Sequence, residues 1–174
     1  MDSPSTTNYF QGTGKCLWTP AGGAQRDLGN IVECELTPSV NKLEHKKTRG
    51  GSKKTDFTQY NDQAVVMRIV LDEITAENLA MLLMSEVVTN TDGTKTLRLM
   101  SVSQITGALE FVGDNNVGNK VHGVFPSVSF GPTGSFSPIS GDDFGQVEVT
   151  GDLLAIEYTD GITDFGQMTV TDAA

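Results

Sequence analysis

Any catalysis in this chain has to be built from two histidines, His45 and His122, and two cysteines, Cys16 and Cys34. A hydrolytic zinc site needs ligands one helical turn apart, as in H-E-x-x-H, and a structural zinc site needs close cysteine pairs such as C-x-x-C. Neither pattern occurs. The histidines are far apart, and His45 lies in a basic segment, where an imidazole is an ordinary solvated side chain. Gly12-Thr13-Gly14-Lys15 has the ending of a phosphate-binding loop. The upstream glycine is missing, however, Cys16 stands where Ser or Thr should meet magnesium, and no long helix follows. There is no G-x-S-x-G nucleophile elbow. Asp114-Asn115-Asn116-Val117-Gly118 has the composition of a calcium loop without the closing Glu, and reads as a turn. Asp142-Asp143 offers carboxylates with no sign of a cleft around them. No catalytic, metal or cofactor site is expected, and the chain is not expected to be an enzyme.

The residues that do form a pattern are cationic. Lys42, Lys46, Lys47, Arg49, Lys53 and Lys54 supply half of the 12 lysines and arginines, so the positive charge is concentrated around Gly50-Gly51-Ser52. The whole chain carries a formal net charge of −10, so this segment opposes everything around it. From Glu110 to Ala174, ten acidic residues face a single basic one, Lys120. Such a surface repels phosphate backbones and argues against ordinary nucleic-acid binding. A positive segment on a negative body instead fits a second copy of the same body, where opposite charge orients and selects. The plainer reading is that the acidity only keeps the protein soluble.

These charges need a scaffold. A chain of 174 residues suits one domain spanning 1–174, large enough to bury a core without disulfides or metal. The many glycines and the scarcity of strong helix formers favour a β-rich fold. Residues 1–7 read as a flexible N-terminal arm. A short strand over 15–19 carries Trp18. Residues 31–37 alternate, with Val32, Cys34 and Leu36 on one side and Glu33, Glu35 and Thr37 on the other. Pro38 interrupts the ladder. Residues 40–62 show no period and are expected to form a long loop. Residues 63–71 form an apolar strand buried on both faces. A helix is expected within 72–86, with Thr75 as N-cap, Glu73 and Glu77 near its positive end, and Leu79, Leu82 and Leu83 facing the core.

Turns are expected at Asp92-Gly93, at residues 114–119, at Gly151-Asp152 and at Asp160-Gly161. Asp143-Phe144-Gly145-Gln146-Val147-Glu148-Val149-Thr150 is echoed by Asp164-Phe165-Gly166-Gln167-Met168-Thr169-Val170-Thr171, as if two strands of one sheet met similar surroundings. No secretory signal precedes the cysteines and no stretch is long enough to span a bilayer. The thiols are therefore expected free, reduced and buried, with a Cys16–Cys34 disulfide as the alternative.

Several segments follow one another in a specific order. They are Asn8-Tyr9-Phe10-Gln11-Gly12-Thr13-Gly14, then Asp27-Leu28-Gly29-Asn30-Ile31, then Leu43-Glu44-His45 with Arg49-Gly50-Gly51. The strand 65–71 and Glu73-Ile74-Thr75-Ala76-Glu77-Asn78-Leu79 complete the series. In this order residues 8–83 resemble the tail tube, or major tail, proteins of long-tailed, non-contractile (siphovirus-type) bacteriophages. The residues after Glu86 match only in their β character. The resemblance implies a mainly β fold of two packed antiparallel sheets, a sandwich or partly open barrel. A helix at about 75–86 would flank the sheets, and the 40–62 loop would reach an adjacent subunit.

The same resemblance implies a structural virion protein, assembled in the bacterial host cytoplasm into hexameric rings. Stacked rings would form a hollow tube that conducts DNA into the host. The tape-measure protein, tail terminator and distal tail proteins would be its partners, without membrane insertion. Lys42, His45, Lys46, Lys47, Arg49, Lys53 and Lys54 would then make the inter-ring contact. Glu33 and Glu35, followed by Glu148 and Glu157, would line the lumen, where carboxylates give passing DNA no cationic partner. Two other readings are a tube protein of a contractile tail or a secretion or injection system, and a β-sandwich carbohydrate or adhesin module. The last would need clustered exposed aromatics, whereas the one Trp and three Tyr are scattered in sequence.

Overall fold

The computed structural model describes residues 4–139, 141 and 144–172. The first three residues of the N-terminal arm and the Asp142-Asp143 pair lie outside the described residues. The chain forms β1 (Thr13–Pro20), β2 (Arg26–Asp27), β3 (Ile31–Lys47), β4 (Lys54–Leu71), α1 (Ala76–Leu83), β5 (Val87–Thr89), β6 (Lys95–Leu97) and β7 (Ile105–Asp114). It continues with β8 (Lys120–Gly131), β9 (Val147–Leu153), β10 (Ile156–Glu157), β11 (Thr163–Asp164) and β12 (Gln167–Thr171).

The main sheet runs β2-β1-β7-β8-β9-β4-β3, with β12 also on β8, and its ladders are antiparallel. β5–β6 and β10–β11 are separate two-stranded ribbons. β8 is where the sheet divides. One edge follows β7; the other is shared, residues 128–131 pairing with β9 and residues 120–124 with β12. The sequence echo is thereby explained: β9 and β12 occupy successive stretches of the same edge. Their surroundings differ at the aromatic, since Phe165 packs against the core and Phe144 is exposed.

The sheet folds over on itself around one core. Cys16, Trp18, Leu109, Phe125 and Phe130 meet Met67, Ile69, Leu71, Val147 and Val149 there. The Trp18 and Phe130 rings stand edge to face with centroids 5.0 Å apart, a favoured aromatic geometry. α1 adds Met81 and Leu82, with Leu79 and Leu83 packed alongside. The expected mainly β, layered antiparallel fold with one flanking helix is therefore present, as one folded sheet that does not close into a barrel.

Local chemistry fixes the helix. Thr75 Oγ1 accepts from Asn78 N at 3.1 Å, satisfying a free N-terminal amide. Met84 ends the helix in the left-handed region at φ 49°, so it is shorter than the 75–86 expected. Asn78 is fully buried and fully used. Its Oδ1 accepts from Arg26 Nη1 at 2.7 Å, and its Nδ2 donates to the carbonyls of Leu28 at 2.9 Å and Glu73 at 3.0 Å.

Three expectations are corrected. Residues 40–62 are not a long loop but the outer part of the β3–β4 hairpin, with only residues 48–53 between the strands. Gly151 is not in a turn but inside β9, where the Phe130 ring lies so close that a Cβ would meet it at 2.8 Å. Residues 6–8 form a 3-10 turn, and the chain beyond the arm is held where Asn115 takes Gln11 N on its Oδ1 while donating to the Tyr9 carbonyl at 3.0 Å. Cys16 is buried as expected, but Cys34 is exposed.

Candidate functional site: a projecting hairpin and an acidic sheet face

β3 and β4 pair continuously from Ile31↔Leu71 to Lys47↔Lys54. β9 accompanies β4 only over residues 65–71. Beyond that point the two strands have only each other, and they project as a ribbon. At about 3.3 Å per residue, the stretch from Val40 to Lys47 reaches roughly 25 Å from the body. Gly50 and Gly51, at φ 97° and 89°, supply the left-handed backbone that closes its tip. Register shifts at Val40/Asn41 and His45/Lys46 are the irregularities of the outer ladder.

All seven residues expected to form the contact loop lie on this ribbon: Lys42, His45, Lys46, Lys47, Arg49, Lys53 and Lys54. They sit on strands and a tight turn rather than on a slack loop. Lys42 Nζ pairs with Glu44 at 2.5 Å, and their hydrogen bond holds the Glu44 carboxyl below its ordinary range and raises the Lys42 pKa. His45 Nδ1 lies 2.6 Å from Asp56. Among the described residues Lys46, Lys47, Arg49, Lys53 and Lys54 make no ion pair, so most of the positive charge at the tip is uncommitted.

The cations share the ribbon with large apolar side chains that sequence reading passed over. Val40, Leu43, Phe57 and Tyr60 are 49–62% exposed, an unusual density for so short a stretch. Leu43 and His45 share a face by the two-residue period, and Phe57 stands opposite His45. Val40 and Tyr60 line a groove of about 600 Å³ with Pro38, Val65 and Phe165. By the same period Leu43 and Phe57 lie on one face of the ribbon and Tyr60 on the other, and an isolated two-stranded ribbon with large apolar side chains exposed on both faces is marginally stable in water and favours a covering partner. The signal available in the sequence was the set Leu43, Phe57 and Tyr60 among charges; it has no period because neither face of the ribbon is buried.

The second surface is the outward face of β3, β4 and β9. Glu33, Val70 and Glu148 lie in one cross-strand row, and Glu35, Arg68 and Thr150 in the next. Arg68 joins the rows. Its Nη1 donates to Glu33 Oε2 at 2.6 Å, while Nε and Nη2 donate to both oxygens of Glu148 at 3.0 and 3.1 Å. These bonds hold the Glu148 carboxyl below the usual carboxylate range and raise the Arg68 pKa. Three of the four expected lining carboxylates therefore share a face, with Arg68 among them. Glu157 does not belong to it; it lies on the β10–β11 ribbon. Arg68 was hidden because its partners lie 35 and 80 positions away and meet it only in the correct register.

Two features complete the surface. β3 ends the sheet, so its outer edge has no strand partner among the described residues. Among the described residues no group of His, Cys, Asp and Glu is placed to hold a metal, and no helix is long and apolar enough to cross a membrane.

A family model described as Protein of unknown function UCP028589 matches residues 9–110, more than half of the chain. Comparison with curated proteins gave no match. Among solved structures, a chain from the cryo-EM structure of the anti-feeding prophage baseplate, 6-fold symmetrised, aligns over 97% of this chain and 97% of its own. The identity is 8% and the TM-score 0.37, too distant to bear on role.

Proposed function

The chain belongs to the family Protein of unknown function UCP028589, and we propose that it is a self-assembling structural protein of a phage-type particle. The finer reading is a tail tube subunit: six copies close into a ring, rings stack into a hollow tube, and DNA passes through it. The observation that carries this reading is the ribbon, which presents Leu43, Phe57 and Tyr60 to solvent together with five cations that make no ion pair among the described residues, on an acidic body. Covering those side chains supplies affinity, and the opposite charges supply orientation. A ribbon that fits a different surface on the next copy makes a head-to-tail contact, which closes into rings or runs on as a filament. The unpaired β3 edge also favours assembly, because an exposed edge is a hazard that pairing between copies removes.

In this reading Glu33, Glu35 and Glu148 face the channel. Arg68 is held by two of them and so is not free to grip phosphate. Tape-measure, terminator and distal tail proteins would be the further partners and the virion tail the location, with assembly in the bacterial host cytoplasm. No catalytic activity is assigned.

Charge reversal at the tip, Lys46→Glu with Lys47→Glu and Lys53→Glu, tests the proposal. The variant should fold with an unchanged urea midpoint and yield no tubes under conditions where the parent does, as seen by negative-stain electron microscopy. Tubes of parental length and number from this variant would remove the ribbon from the contact.

A further inference from the structure

We propose that the groove at the root of the β3–β4 ribbon is the seat for the ribbon of a second copy, whose cationic tip meets the acidic β10–β11 hairpin beside that groove. The contact presupposes the self-assembly reading above and adds its receiving surface. The two faces of the ribbon differ. Tyr60, opposite Lys42, lies on the face that lines the groove of about 600 Å³ with Pro38, Val40, Val65 and Phe165. Leu43 and Phe57 lie on the other face and are 61% and 60% exposed. One chain thus carries both a recess and an apolar projection. Each copy can give one such contact and receive one, which is the head-to-tail arrangement of rings and filaments.

The surroundings of the groove carry the charge opposite to the tip. β9 ends at Leu153, opposite Val65, so the β10–β11 hairpin leaves from the ribbon root. Phe165 directly follows β11 and belongs to the groove lining. From Asp152 to Asp164 the chain has four acidic residues and no basic one. Glu157, Asp160 and Asp164 make no ion pair among the described residues, and Leu154 and Ile162 are exposed beside them. Residues 46–54 of the tip carry five cations and no acidic residue. The spacing is similar on the two partners. Lys46 and Lys47 stand roughly 10–13 Å beyond Leu43 along an extended strand, and Asp160 stands within about 17 Å of Phe165. With Leu43 and Phe57 in the groove, apolar burial supplies the affinity and the charges select the orientation.

The test compares full-length chains. The tip variant is Lys46→Glu with Lys47→Glu and Lys53→Glu. The seat variant is Glu157→Lys with Thr159→Lys and Asp160→Asn, the last keeping the side-chain oxygen that accepts from Ile162 N. Both should keep the parental urea midpoint. Each alone should need about tenfold more protein than the parent to assemble, followed by light scattering, and an equimolar mixture should return to within about threefold of the parent, because every tip then meets a seat of opposite sign. A seat variant that folds and assembles like the parent, or a mixture no better than its components, overturns the seat and leaves the ribbon contact standing. A tip variant that assembles like the parent, or a parent that stays monomeric, overturns both. Independently of the charge variants, a photoreactive benzoylphenylalanine replacing Phe57 in the parent should cross-link to residues 38–40, 63–65 or 156–165 of another copy, read by mass spectrometry. Cross-links confined to other residues overturn the seat.

Discussion

Arg68 shows how much of the surface chemistry depends on a single side chain. It receives one carboxylate from β3 and another from β9 while sitting on the strand between them. Because Arg68 depresses the Glu148 pKa in the fold, the pair contributes stability that is fully present above the ordinary glutamate range, around pH 4.3, and is lost as pH falls through the lowered value. Arg68→Met keeps the aliphatic stem and deletes the guanidinium. The expected result is a urea midpoint below that of the parent at pH 6, with a gap that narrows steadily between pH 5 and pH 3. A gap of constant size across that range would mean that the loss is one of packing alone. At this scale the sequence is legible where partners are local. Thr75 could be read as a cap because its acceptor role is set by a neighbour three positions on. Arg68 could not, because its role exists only once three strands are in register.

For the secondary-structure elements, legibility follows burial. Residues 31–37 betrayed their strand by alternation: Leu36 packs against the core while Glu33 and Glu35 lie in the outward rows with Arg68, although Cys34 is exposed. Val32 broke the pattern: a register shift between Ile31 and Glu33 leaves it 52% exposed. The outer ribbon gave no signal, because a strand wet on both faces has no reason to alternate. Its hydrophobic residues are therefore best explained by something outside the chain. Replacing Phe57 and Tyr60 with Ser should leave the urea stability of the monomer within about 0.5 kcal/mol, as for exposed positions generally. The same change should raise the concentration needed for assembly about tenfold or more, measured by light scattering. A large loss of monomer stability would show that the two aromatics serve the fold rather than a contact.

On the scale of the whole molecule, charge is segregated. Five cations without an ion pair among the described residues gather at the ribbon tip, and from Glu110 onward ten acidic residues face one basic residue. Attraction between such regions acts over about a Debye length, roughly 10 Å at 0.1 M salt, and mainly affects the rate of encounter. Growth of assemblies should therefore slow about tenfold between roughly 0.05 and 0.5 M salt, followed by turbidity, while finished assemblies remain intact because apolar contacts hold them. Salt-independent growth would assign encounter to the apolar side chains alone. The β-rich organisation was legible from composition and turn spacing. The folding of one sheet into both layers was not, since it depends on β8 serving β9 and β12 along one edge.

β4 runs without interruption from the ribbon tip into the core, from Lys54 to Leu71. A tug on the tip is thus delivered lengthwise to Met67, Ile69 and Leu71. Antiparallel ladder bonds lie across the strand, so the seven rungs between β4 and β9 would bear that load together instead of peeling in turn. If copies join through the protrusion as proposed, it would serve as a mechanical tie rod, and bending or stretching of the resulting filament would be resisted in shear by the best-packed part of each link.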